Sequence, residues 1–163
     1  MTLVIETEVL YVREYIIDIV ACASFDVEPT KGGSVNIALL EDNPSILDYL
    51  STALEMLGHR VQKFTHSAPL LETLFSGENV RSPLPFDLAL IDLLLPGSIS
   101  GLEAAHLIQQ AIPSNQLHII VISACSHKEL EQARAELPQV PFLRKPFRMH
   151  ELLQTIDQIQ LTS

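Results

Sequence analysis

The 163-residue chain carries ten basic against twenty acidic residues, a formal net charge of -10, with 47% hydrophobic residues. That length holds one domain of ordinary size plus an appendage, and the hydrophobic content without low-complexity tracts excludes a disordered chain. The acidic balance repels phosphate backbones and anionic membrane surfaces, which argues against nucleic acid or membrane as partner.

Cys22 and Cys125 are the only cysteines and form no CxxC or Cys/His spacing, so neither a disulfide framework nor a zinc site is expected and a reducing cytoplasm fits. The histidines at 59, 66, 106, 118, 127 and 150 form no ligand pair and read as surface or boundary residues. Met1 to Val20 lacks a basic signal-peptide start, and Glu6, Glu8, Arg13, Glu14 and Asp18 interrupt any membrane span.

In chain order, residues 5 to 22 place Ile5, Val9, Val12, Ile16, Ile19 and Val20 on one face at a 3.6 period, with Glu6, Arg13, Glu14 and Asp18 opposite. An amphipathic helix is expected, although the β-branched content also allows a strand. The apolar stripe either caps the main domain or serves self-association, as in a homodimer, or partner docking. VEPTKGGS then reads as a linker, so residues 1–34 form an extension and 35–163 the main domain.

From Val35 an alternation begins. VNIALL reads as a strand ending at Glu41 and Asp42; a helix follows, with Pro44 near its first turn, Gly58 after its last, and Ile46, Leu50, Ala53, Leu54 and Leu57 as its buried stripe. Arg60 to Phe64 reads as an edge strand, Ala68 to Phe75 as a short helix, and SGENVRSPLP as a loop. Leu88 to Ile91 is a strand buried on both faces that stops at Asp92. Gly101 to Ile112 then reads as a helix, LHIIVIS as a strand ending at Ser123, His127 to Leu137 as a polar helix, Val140 to Leu143 as a short strand, and Arg148 to Leu161 as a final helix. Met149, Leu152, Leu153, Ile156 and Ile159 turn inward on that helix. Five βα units require crossover helices on both faces of a parallel sheet, an α/β doubly wound fold whose ligands bind beyond the carboxyl ends of the strands.

Those ends carry Glu41, Asp42, Asp92 and Ser123, with Lys145 after the fifth strand. Three carboxylates so close raise each other's pKa unless a cation sits among them. Oxygen-only ligands favour a hard ion, and a shallow, water-accessible site favours Mg²⁺ over Ca²⁺. Lys145 suits phosphate oxygens and Ser123 offers a hydroxyl donor. The set fits phosphoryl transfer to a carboxylate nucleophile; a permanent metal site without covalent chemistry is the alternative.

These residues resemble the response-regulator receiver domain of two-component signalling, from about Val35 to Leu161. The resemblance rests on Glu41 and Asp42, on Asp92 with Pro96 four residues later, on Ser123 with Ala124, and on Lys145, Pro146 and Phe147; the intervals are 31 residues from Asp92 to Ser123 and 22 from there to Lys145. It implies a flavodoxin-like sheet of order 2-1-3-4-5. It further implies that Asp92 is phosphorylated from a histidine kinase or phosphotransfer protein, and that Asp42 and Asp92 bind Mg²⁺ with the Leu94 carbonyl while Glu41 acts through metal-bound water. Lys145 and Ser123 would hold the phosphoryl group. Ser123 and Phe142 occupy the switch positions, and Phe142, having no hydroxyl, would couple by packing alone; as a residue of the fifth strand it equally reads as core. Such a chain is no enzyme in the ordinary sense, since it catalyses only its own Mg²⁺-dependent phosphorylation and dephosphorylation.

Three departures from the family pattern stand out. PGSISG is one residue longer than the usual proline-to-glycine spacing; Leu94 and Cys125 are poorly suited to orient an attacking water; and Pro141 stiffens the entry to the fifth strand. The second predicts a long-lived acyl phosphate. Because the chain stops at Ser163, directly after the last helix, the expectation is a stand-alone receiver that binds a downstream protein when phosphorylated. A phosphorylation-independent interaction module is the competing class. A haloacid-dehalogenase-like phosphatase fits poorly, because DLL lacks the second carboxylate of D-x-D.

Overall fold

The structure is a computed structural model and describes residues 33–161. The helix expected over 5–22 and most of the linker lie outside them. β1 (Asn36–Leu40), β2 (Arg60–Phe64), β5 (Leu88–Asp92), β6 (His118–Ser123) and β7 (Phe142–Arg144) form one sheet in the order β2-β1-β5-β6-β7, and every neighbouring pair runs parallel. Counting only these strands, this is the expected order 2-1-3-4-5, with the polar β2 at an edge.

Five helices cover the sheet: α1 (Pro44–Met56), α2 (Ser67–Leu74), α3 (Gly101–Ala111), α4 (His127–Glu136) and α5 (Met149–Leu161). Successive residues of a strand point to opposite faces, which divides the core in two. Ile37, Leu39, Leu88, Leu90, Ile120 and Ile122 pack with α1 and α5 through Leu50, Leu54, Leu152 and Ile156. Ala38, Leu40, Ala89, Ile91, Ile119 and Val121 pack with α2, α3 and α4 through Leu70, Leu74, Ala105, Ile108 and Ala133. Each fully buried leucine contributes roughly 2 kcal/mol of transfer free energy, so both layers hold the strand ends in register.

The helix starts are fixed locally. The Asn43 side chain accepts from Ser45 N at 3.0 Å and Ile46 N at 3.2 Å, and Pro44 follows as the first helical residue. Ser100 with Glu103, and Ser126 with Glu129, form capping boxes that start α3 and α4.

Five details depart from the sequence expectation. Within SGENVRSPLP, expected to be loop, Asn79–Val80 (β4) pairs antiparallel with Phe75–Ser76 (β3), and Gly77 turns between them at φ 65°. Phe75, expected in α2, is extended and belongs to β3. The fifth strand of the main sheet starts at Phe142 rather than Val140, with Pro141 contributing only its carbonyl, which accepts from Val121 N at 2.9 Å. In α1 Leu47 is buried, whereas Ile46, Ala53 and Leu57 are only partly so. His59 also differs from a surface histidine: it is 4% exposed, and its Nδ1 accepts from Val35 N at 3.3 Å. Burial holds its pKa below the ordinary value against the opposing charge of Asp157. Among the described residues no helix is long and apolar enough to cross a membrane.

Candidate functional site

At the carboxyl ends of the strands, β1 delivers Glu41 and Asp42, β5 ends on Asp92, β6 ends on Ser123, and Lys145 follows β7. One carboxylate oxygen from each of Glu41, Asp42 and Asp92 lies within 4.8 Å of the other two. Lys145 Nζ donates to Glu41 Oε2 at 2.5 Å and to Asp92 Oδ2 at 2.6 Å. The second oxygens are held by backbone: Asn43 N donates to Glu41 Oε1 at 3.0 Å, and Leu94 N donates to Asp92 Oδ1 at 2.9 Å. Glu41 is 1% and Asp92 4% exposed, while Asp42 faces solvent.

Burial raises the Glu41 pKa; Lys145 pulls it down without cancelling the rise, and the charge of Asp92 adds to it. For Lys145 burial acts downward, but the carboxylates of Asp92 and Glu41 outweigh it and hold the ammonium above the ordinary lysine value. When ionised, three carboxylates and one ammonium leave a surplus of two negative charges, on oxygen donors with one exposed flank. That donor set suits a hard divalent cation.

Gly101 explains how Asp92 is seated. A Cβ built there would lie 1.7 Å from the Asp92 carbonyl oxygen and 2.8 Å from Leu93 Cα, so only glycine lets α3 begin against this backbone. Its own N–H donates to Leu93 O at 3.3 Å.

Ser123, Leu94 and Phe142 have surroundings of their own beside this cluster. Ser123 is fully buried, and its hydroxyl donates to Cys125 Sγ at 2.8 Å while accepting from Cys125 N at 3.1 Å. Its backbone carbonyl accepts from Lys145 N at 2.8 Å, tying the two strand ends together. Leu94 directs a 54% exposed side chain outward. Phe142 is half-buried, and the Arg134 guanidinium of α4 lies 5.6 Å from its ring centroid, so the ring is a boundary residue and not a sealed core one. Sequence reading missed Asn43, Gly101 and Arg134 as supports. Asn43 was legible as a cap, Gly101 only as a helix start, and Arg134 left no signal.

A family model for the response regulator receiver domain matches residues 37–157. The chain belongs to this family. The response regulator TrrA from Thermotoga maritima, solved in complex with Mg(2+)-BeF, is 26% identical, with 76% of this chain and 97% of that one covered at a TM-score of 0.62. The BeF3-activated DrrB receiver domain is 25% identical, with 80% and 99% covered at a TM-score of 0.63. A probable transcriptional regulatory protein of Picosynechococcus sp. is 27% identical over 117 residues, 72% of this chain and 45% of that protein. The chain thus spans less than half the length of that relative. Receiver domains are signalling domains of two-component systems, working with histidine kinases or phosphotransfer proteins and with downstream targets, and not ordinary enzymes.

Proposed function

We propose that this receiver domain accepts a phosphoryl group on Asp92 from a phosphohistidine donor and signals by a binding surface that responds to it. The observation that carries the reading is the pair of hydrogen bonds that aim the Asp92 carboxylate, from Lys145 on one oxygen and Leu94 N–H on the other. A carboxylate oxygen of Asp92 attacks phosphorus, the new O–P bond forms, and the P–N bond to the donor imidazole breaks and leaves its electron pair on nitrogen. Lys145 neutralises oxygens of the transferring group, and much of catalysis in such a site is alignment and charge compensation.

Mg²⁺ fits the surplus negative charge and oxygen-only donors of Glu41, Asp42 and Asp92. These residues, with the Leu94 carbonyl and with Glu41 acting through bound water, would hold it, and it supplies neutralisation of phosphoryl oxygens. Ser123 and Phe142 form the responsive elements between the site and the α4-β7-α5 surface, and residues 35–163 constitute the receiver unit behind the extension.

Incubation with acetyl phosphate and Mg²⁺ followed by intact-mass measurement tests this reading. One added phosphoryl group, absent in Asp92→Asn, supports it. No gain in the wild-type chain favours a phosphate-independent interaction module.

A further inference from the structure

We infer that Cys125 is a positioning residue: its thiol latches the Ser123 hydroxyl away from Asp92 in the resting protein and sets how readily the site takes up phosphate. The inference rests on the assignment of Asp92 as phosphoacceptor. Ser123 ends β6 with no solvent exposure, so its hydroxyl is withdrawn from bulk solvent. Both polar roles of that hydroxyl are met by one residue, since its proton goes to Cys125 Sγ and its oxygen takes the Cys125 N–H. Lys145, by contrast, is committed to Glu41 and Asp92. The hydroxyl is bonded to Cys125, while the Ser123 backbone carbonyl accepts from Lys145 N.

Sulfur is a weak acceptor, whereas a phosphoryl oxygen is a charged one, and charge-assisted hydrogen bonds are about twice as strong as neutral ones. The hydroxyl therefore leaves the thiol when a phosphoryl group is present and returns when it is gone. Cys125 is buried in the apolar layer that also holds Ala133 of α4 and Leu137, a layer whose buried members are hydrophobic. Removing the sulfur leaves a buried donor unserved and shifts the hydroxyl toward the site.

The test compares wild type, Cys125→Ala, Cys125→Ser, Ser123→Ala and the Ser123→Ala/Cys125→Ala double variant. The readout is the initial rate of phosphoryl gain from acetyl phosphate in Mg²⁺. Cys125→Ala is expected to react about three- to tenfold faster, the ratio one hydrogen bond commands. Cys125→Ser, whose hydroxyl is the stronger acceptor, does not exceed the wild-type rate, and Cys125→Ala changes nothing in the Ser123→Ala background. A phosphorylated wild type with an unaltered Cys125→Ala rate overturns the latch alone. A rate rise that persists without the Ser123 hydroxyl also overturns it, because packing would then be the cause. A wild type that takes up no phosphoryl group overturns the Asp92 assignment and the latch with it.

Discussion

Lys145 Nζ lies 2.6 Å from Asp92 Oδ2 although β6 separates the strands that carry them. Arg144, the last residue of β7, pairs with Ser123, so Lys145 lies one residue past the strand end, and the same ammonium also holds Glu41, which follows β1. Three strand ends are therefore joined by one cation, and the consequences are measurable.

Lys145→Met leaves Glu41 and Asp92 buried without their cation. Breaking a buried pair by removing one partner costs about 3–5 kcal/mol. Urea unfolding without divalent cations is expected to show a lowered midpoint and an unchanged slope, together with loss of phosphoryl uptake. A midpoint within error of wild type would contradict the pairing.

The raised pKa of Glu41 fixes a pH dependence. The folded chain holds that proton more tightly than the unfolded one, so the associated stability is complete below the ordinary value of 4.5 and is lost as pH rises through the folded value. Glu41→Gln lacks this titration. Between pH below 4.5 and neutral pH, wild type is expected to lose stability relative to Glu41→Gln when no divalent cation is present. Lys145 behaves similarly at the alkaline end: its contribution is present below 10.5 and disappears as pH rises through its higher folded value. Chemical denaturation across pH, giving a flat wild-type-to-variant difference at the acid end, would contradict the Glu41 assignment.

Gly101→Ala places a methyl group 1.7 Å from the Asp92 carbonyl oxygen and 2.7 Å from its carbonyl carbon, both backbone atoms that cannot rotate aside. Overpacking of this kind costs about 1–3 kcal/mol, and here it also moves the nucleophile. Reduced stability in urea with slower phosphorylation is expected; wild-type values for both would show that α3 yields instead.

Much of this arrangement was legible in the sequence, for a physical reason. Strands buried on both faces appear as apolar runs, and each run here stops at a polar residue, so Glu41, Asp42, Asp92 and Ser123 mark strand ends directly. What escaped depends on direction and on close approach. The Ser123 hydroxyl turns to Cys125, two residues away, and nothing linear distinguishes that from turning to Asp92. Gly101 reads as an ordinary helix start until the Asp92 carbonyl is found against it. The β3-β4 hairpin has two residues per strand, too few for alternation to show, and Pro141 masks the true start of an edge strand.

The exposed side chain of Leu94 offers no group to orient a water for attack on the acyl phosphate, and a buried Cys125 thiol is only a weak hydrogen-bonding group. The phosphorylated chain is expected to persist for minutes or longer in Mg²⁺ once donor is removed. Leu94→Gln, which adds an amide at this position, is expected to shorten the lifetime. A wild-type half-life of seconds, followed by intact mass over time, would contradict the account.

The most direct measurement locates the phosphoryl group. Borohydride reduction converts an aspartyl phosphate to homoserine, and peptide mass spectrometry reads the position. After treatment with acetyl phosphate and Mg²⁺, homoserine is expected at residue 92 alone. Homoserine at Asp42, or at no position in a chain whose fold is intact, would contradict the assignment of Asp92 as the phosphoacceptor.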